Sequence, residues 1–235
     1  MAVPVIMTLS SKTVLGGSYH CTISGQQSGN LSSHPDVPNC GVGFSPGGWR
    51  QNAYKAGDQD GNISYWLGAE VIPFDIIYKN EVTFFNSKKD TPNKRSKANT
   101  YPNDENDKKC VVYYDTKDGF KTVCGDETMP IGNSKAWEIY DKINNSNLGA
   151  KATKFNEIFG GTDGRTLHQV LEMESGGLTF HAIAAYLNAA LYHNTGFNLF
   201  YPAYESLTPA YIVSVYNDPN YSDELKQDFF ESIIH

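Results

Sequence analysis

The sequence predicts an α+β protein in which a disulfide-pinned, β-rich N-terminal half packs on an all-helical C-terminal half. Three observations indicate this class. Short β-branched and aromatic runs separated by polar turns fill the N-terminal half, helical periodicity begins after Pro130, and two cysteines flank a hairpin pattern. The expected regions are an N-terminal strand or arm over 1–18, a β-rich region over 19–130 with a polar loop at 86–109, and a helical region over 131–235. The last two are either separate units or one integrated domain.

Composition narrows the classes of partner. The 235 residues carry a formal net charge of −7 and only 19 are Lys or Arg, which argues against nucleic acid as a partner. No apolar run is long enough to cross a bilayer, so no membrane span is predicted. Abundant Tyr, Asn, Ser, Thr and Gly with few charged residues favour an extracellular or cell-surface location.

The N-terminal segment, Met1 to Leu15, carries the pattern of a strand. Its apolar residues alternate at Val3, Val5, Met7 and Leu9, and Val14 extends the apolar stretch. Such a strand needs a sheet, either in its own chain or at an exposed edge of a neighbouring subunit. In the second case these five residues form the predicted subunit interface.

The four cysteines predict disulfides. Cys21 and Cys40 bracket one polar loop, and Cys110 and Cys124 bracket a hairpin, so local pairing is the natural one of three connectivities. The close Cys pairs of a zinc site are absent from the sequence.

Further strands are expected between the two cysteine pairs. Asn62 to Tyr78 and Glu81 to Phe85 together predict two or three strands. Val111 to Tyr114 and Phe120 to Val123 predict a hairpin about an Asp-Thr-Lys-Asp-Gly turn, and Ser45 to Arg50 predicts a turn.

The C-terminal half carries helix signals, namely apolar residues at helical spacing and capping residues before them. The predicted helices are Lys135 to Asn144 capped by Ser134, Ala152 to Phe159, Thr166 to Met173, Leu178 to His193, one from Thr208-Pro209 through Tyr216, and one capped by Ser222. The alanine-rich Leu178 to His193 is the expected buried scaffold of this half.

Several segments together resemble a module of secreted and surface-anchored structural proteins. Its pattern runs Cys-Thr-Pro-Gly-Tyr-Trp-Lys, then Phe, then Leu-Leu, then an Ala-Ala-Leu-Leu-Asn-Ala helix. The matching segments are Cys40 to Arg50, Phe155 to Phe159, Thr166 to Leu171, His181 to Ala190 and Leu207 to Tyr216. Gly48 replaces the aromatic residue that the module carries before Trp49. The resemblance implies export and a structural role, and it transfers no catalytic residue.

One constellation suits acid–base or metal chemistry. His168 and Glu172 lie four residues apart, with Glu174 and His181 nearby in the sequence. The zinc-protease and nucleophile-elbow patterns are absent from the sequence, so an ordinary polar helix face is the preferred interpretation. We therefore predict no catalytic residue and no enzyme.

Asp58, Asp60 and Asn62 could form a calcium site, because their side-chain oxygens occupy every second position around the turn at Gly61. The twelfth position of an EF-hand loop falls on Ala69 rather than glutamate, so that motif fails. No cofactor is predicted, and calcium stays open.

These observations predict a structural subunit of an extracellular, pilus-like homopolymer or surface assembly. The N-terminal strand of one subunit would insert into its neighbour as a donor strand. One alternative is a monomeric secreted adhesin or glycan-binding module that presents Trp49, Trp66 and surface tyrosines. Another is a secreted hydrolase that uses His168 or Glu172.

Overall fold

A computed structural model describes residues 43–57, 62–79, 105–197 and 204–234. Several predictions lie outside these described residues. They are the N-terminal strand with Val3, Val5, Met7, Leu9 and Val14, the Cys21–Cys40 disulfide, the calcium ligands Asp58 and Asp60, and the strand pattern from Glu81 to Phe85.

The described residues form an α+β fold, as predicted, with most helices in the C-terminal half. The helices are α1 (Pro46–Asn52), α2 (Ile63–Gly68), α3 (Ala136–Asn145), α4 (Phe155–Phe159), α5 (Leu167–Met173), α6 (Leu178–Thr195), α7 (Pro209–Asn217) and α8 (Asp223–Ile234). The strands are β1 (Asp75–Tyr78), β2 (Lys109–Asp115) and β3 (Gly119–Cys124). Among the described helices, none is long and apolar enough to cross a bilayer.

The sheet is antiparallel with strand order β1-β2-β3, and β2 and β3 form the predicted hairpin. Cys110 lies directly opposite Cys124, and the two form the predicted disulfide with a Cα–Cα distance of 4.1 Å. The polar loop predicted to reach residue 109 ends earlier, because Glu105–Lys108 form a 3₁₀ helix and β2 begins at Lys109.

The prediction of two or three strands in the 62–85 region is wrong for its first part, where Ile63–Gly68 form α2. Asn62 decides this locally, because its side-chain oxygen accepts a hydrogen bond from Ser64 N at 2.7 Å and caps the helix. Ile63 and Trp66, whose residue types favour a strand, are instead fully buried on this helix, and Tyr65 is partly buried against the core.

Two local predictions at helix starts also need correction. The segment expected to be a turn begins α1, because Ser45 Oγ accepts from Gly48 N at 3.2 Å and Pro46 suits the first helical position. Ser134 does not cap α3; its hydroxyl instead accepts a hydrogen bond from Ala56 N. Thr208 caps α7 as predicted. Thr166, predicted as the first residue of its helix, instead caps α5, which begins at Leu167.

One hydrophobic core runs from Phe44 in the N-terminal half to Ile234 in the last helix. Helix α6 lies at its centre, with Ala182 to Ala185 and Leu187 to Leu191 all buried. The sheet and the helices are therefore held by the same core.

Candidate functional site

A polar group lies at the centre of this core, at Asn188 on α6, which has no exposed surface. Its side chain makes four hydrogen bonds, accepting from Phe44 N and Trp49 Nε1 and donating to Phe44 O and Tyr204 Oη. The Tyr204 hydroxyl in turn donates to Ile233 O at 3.0 Å. One amide thus joins the start of the described chain to its last helix.

This network links the two motifs on which the family resemblance rests. Trp49 of the glycine-rich segment bonds to Asn188 of the alanine-rich helix at 2.9 Å, although they are 139 residues apart. Trp66 Nε1 donates to Trp49 O, which adds α2 to the same network. Gly43 is also required, since a Cβ there would lie 1.8 Å from Asn188 Nδ2. The paired motifs therefore have a structural explanation.

His168, the candidate base, lies inside an aromatic box. Its ring centroid is 4.9 Å from that of Tyr54, 4.7 Å from Phe74 and 5.9 Å from Trp66. Nε2 lies 3.2 Å from Arg50 O, and because a carbonyl only accepts, Nε2 carries the proton. Burial lowers the pKa of His168 to about 3, so the ring is neutral at ordinary pH.

Glu172 sits at the edge of this box. Tyr54 Oη donates to Glu172 Oε1 at 3.1 Å, and His168 Nε2 is 3.8 Å from the same oxygen. Burial raises the pKa of Glu172, and burial followed by the nearby Glu172 charge raises the pKa of Tyr54. Because His168 is neutral, its contact with Glu172 is not a salt bridge.

The remaining members of the predicted acid–base constellation take other partners. Arg165 binds Glu174 at 2.8 Å, and His181 Nε2 lies 3.2 Å from Glu231 on α8. The structure therefore brings together only His168 and Glu172, and it encloses the histidine.

The adhesin alternative named Trp49 and Trp66 as ligand-contacting side chains, and the structure contradicts that assignment. Both indoles have no exposed surface, and both N–H groups are used inside the core. Trp137 at the start of α3 is the tryptophan that keeps part of its ring at the surface.

Asn62 is the calcium-candidate residue within the described part of the chain. Its side-chain oxygen caps α2 and its amide donates to Gly57 O. Within 43–57, 62–79, 105–197 and 204–234, no cluster of three or more His, Cys, Asp or Glu could hold a metal ion.

Within the described residues, the sheet offers a different kind of site, a free edge along β3. Gly125 N donates to Lys109 O at 2.9 Å, so these two residues form a hydrogen-bonded pair. In an antiparallel ladder such pairs recur at every second residue, so Val123 and Lys121 also bond to β2. By that alternation, Phe120 and Thr122 direct their backbone N–H and C=O groups away from β2. Among the described residues, no backbone hydrogen bond reaches these groups from outside the sheet.

The other edge of the sheet is covered. On β1, Ile76 N donates to Ala150 O at 2.9 Å, and the Asp75 side chain accepts from Ala152 N. The segment after α3 therefore lies along β1. Unpaired edges such as that of β3 are natural positions for an added strand.

Aromatic side chains lie beside the free edge on the outer face of the sheet. Phe120 is 65% exposed, and its ring centroid lies 5.3 Å from that of its cross-strand partner Tyr114. A pocket of about 290 Å³ opens next to them, lined also by Phe74 and Val112. Among the residues that the structure describes, this face therefore combines backbone groups without a partner strand and exposed apolar surface.

Comparison with protein-family models, with curated proteins and with solved structures gives no match to this chain. The resemblance to a secreted module thus stays a prediction that rests on the quoted motifs.

Sequence reasoning missed two of these features. Asn188 stands in a run of alanines, where a lone amide in an apolar helix is the available signal. The free edge of β3 has no signal in the residues of β3 themselves, because it depends on which strands pair.

Proposed function

We propose that this protein is a structural subunit of an extracellular filament or surface assembly. The N-terminal strand of one subunit pairs with the outer edge of β3 in the next. The free backbone groups of Phe120 and Thr122 support this proposal, because an added strand would satisfy them. Donor and acceptor lie on the same chain at different places, so the contact is head-to-tail and propagates.

The side chains on both partners fit this arrangement. A strand docked beside β3 places alternate residues on the outer face, next to the exposed ring of Phe120. The period of two from Val3 to Leu9 supplies apolar residues at those alternate positions. Burying Phe120 and its new neighbours would add to the backbone hydrogen bonds, each of which contributes about 1 kcal/mol.

The disulfide supports an extracellular location for this assembly. Cys110–Cys124 joins β2 to β3, and such bonds persist in oxidising compartments. It also ties the acceptor strand to the core through β2, which keeps the edge ordered for docking.

Thr122→Pro tests the proposal by removing one backbone N–H group from the outer edge of β3. Thr122 is exposed and its N–H points outward, so proline removes a donor for the incoming strand without removing a bond to β2. We expect Thr122→Pro to remain folded and to lose polymers in negative-stain microscopy and light scattering. Thr122→Ala keeps the N–H and is the matched control, which should polymerise.

Deletion of Met1 to Leu15 removes the donor and should also abolish polymers. Polymerisation of Thr122→Pro or of the truncated chain at the wild-type level would contradict the proposal. If the strand pairs within its own chain, the truncation would instead lower the melting temperature of a protein that never polymerises. That result would also refute it.

A further inference from the structure

Trp137 is held in a fixed orientation at the protein surface. Its indole N–H donates to Asp126 Oδ1 at 3.1 Å, and Lys135 Nζ holds the same oxygen at 3.1 Å. Its backbone N donates to Gly125 O at 3.0 Å. Because the indole N–H is already used, the exposed part of the ring offers only apolar surface.

This ring stands at one end of a groove of about 570 Å³ between α3 and α2. Trp137, Asp141 and Asn145 follow at intervals of four on α3, so they form one stripe along the groove wall. The stripe spans about 12 Å of helix axis. Ser64 and Leu67 of α2 line the opposite wall.

The stripe presents an aromatic ring, then a carboxylate, then an amide. Asp141 accepts a salt bridge from Lys109 at 3.1 Å, which orients the carboxylate and offsets its charge. Glu138 and Lys142 also line the groove with opposite charges. The described lining of the groove is therefore close to neutral when the Lys109 partner of Asp141 is counted, and it is rich in hydrogen-bonding groups.

These features select the chemical class of the ligand. A phosphate or another anion would find no excess positive charge, and an amphipathic helix would find few apolar residues besides Trp137 and Leu67. A pyranose ring has an apolar C–H face that stacks on an aromatic ring and hydroxyls that bond to carboxylates and amides. Binding pockets commonly pair an apolar surface with a few such polar groups.

We propose that the α2–α3 groove binds a neutral oligosaccharide, with a sugar ring stacked on Trp137 and hydroxyls bonded to Asp141 and Asn145. This site is separate from the β3 edge and does not depend on subunit assembly. In an extracellular subunit it would attach the protein to glycans of a cell or matrix surface.

Tryptophan fluorescence provides the test, because the chain has 3 tryptophans and Trp49 and Trp66 are fully buried. The full chain is titrated with cellotetraose, chitotetraose, xylotetraose and maltotetraose. We expect a saturable change in emission with at least one of them, and a shift of the Trp137 indole N–H resonance in the NMR spectrum.

Variants locate the binding. Trp137→Ala should weaken it at least about tenfold, a loss of about 1.4 kcal/mol, and Asn145→Ala should weaken it by a smaller factor. Asn145 is exposed, so its variant tests the site even if Trp137→Ala fails to fold. Leu225→Ala removes an exposed apolar side chain outside the groove and should bind like the wild type.

Two results would overturn the inference. One is the lack of saturable binding by any of the four tetrasaccharides. The other is binding that both Trp137→Ala and Asn145→Ala leave at full strength.

Discussion

Replacing Asn188 by alanine is expected to lower the free energy of unfolding by about 3–5 kcal/mol. The substitution leaves two buried donors, Phe44 N–H and Trp49 Nε1–H, without the oxygen that now accepts from both at 2.9 Å. Each orphaned donor costs about 1–3 kcal/mol, and Phe44 O and the Tyr204 hydroxyl lose a donor as well. The loss is a large part of the stability of a typical domain.

The assay is thermal or denaturant unfolding of the full chain. A shift of roughly 2–4 °C per kcal/mol predicts a melting temperature lower by roughly 6–20 °C. Asn194→Ala is the matched control, because Asn194 is exposed on the same helix. Both substitutions replace asparagine by alanine, so they change the helix propensity by the same amount. Its melting temperature should stay near that of the wild type.

A double-mutant cycle with Trp49→Phe isolates the central bond. Once Trp49 has no N–H, Asn188→Ala orphans one donor fewer and should cost less than it does alone. Additive effects of the two substitutions, or an Asn188→Ala variant that melts with the Asn194→Ala control, would refute the role assigned to the amide.

Three further outcomes follow from the geometry. The pKa of His168 is about 3 in the folded chain and 6.5 ordinarily, so below about pH 6.5 the unfolded chain binds a proton that the folded chain does not. The free energy of unfolding should therefore fall as the pH drops from about 6.5 towards 3, by up to about 1.4 kcal/mol per pH unit. His168→Gln keeps a donor for Arg50 O without the titration, so its unfolding should depend less on pH, and parallel curves for the two proteins would contradict this. Replacing Cys110 and Cys124 by alanine opens a loop with a sequence separation of 14 and should lower the free energy of unfolding by about 3 kcal/mol in calorimetry, and an unchanged stability would contradict this. Gly43→Ala should destabilise the protein about as much as Asn188→Ala, because its Cβ would overlap the amide, whereas Gly57→Ala meets no atom and should unfold like the wild type.

Much of the fold follows from local sequence signals. The Thr208 cap, the hairpin and its cysteine pair depend on residues close together in the chain, and the structure confirms all three predictions. The sequence does not predict helix α2, because six residues are too few to show a helical period. Asn62, which caps this helix, is instead interpreted from the sequence as a calcium ligand.

The sites depend on contacts that local patterns do not carry. The box around His168 is assembled from Tyr54, Trp66 and Phe74, each from a different segment. Burial in that box lowers the pKa of His168, so its ring is neutral at ordinary pH. Likewise, the sequence does not tell which tryptophan is exposed. Trp137 is partly exposed and Trp49 is buried because of how the helices pack.

Hydrogen exchange of the β3 amides tests the proposed assembly most directly. In assembled material, the amides of Phe120 and Thr122 should become protected, because an added strand would accept their hydrogen bonds. The amides of Lys121 and Val123, which bond to β2, should be protected in both assembled and truncated protein. Fast exchange of Phe120 and Thr122 in assembled material, or equal protection after deletion of Met1 to Leu15, would contradict the account.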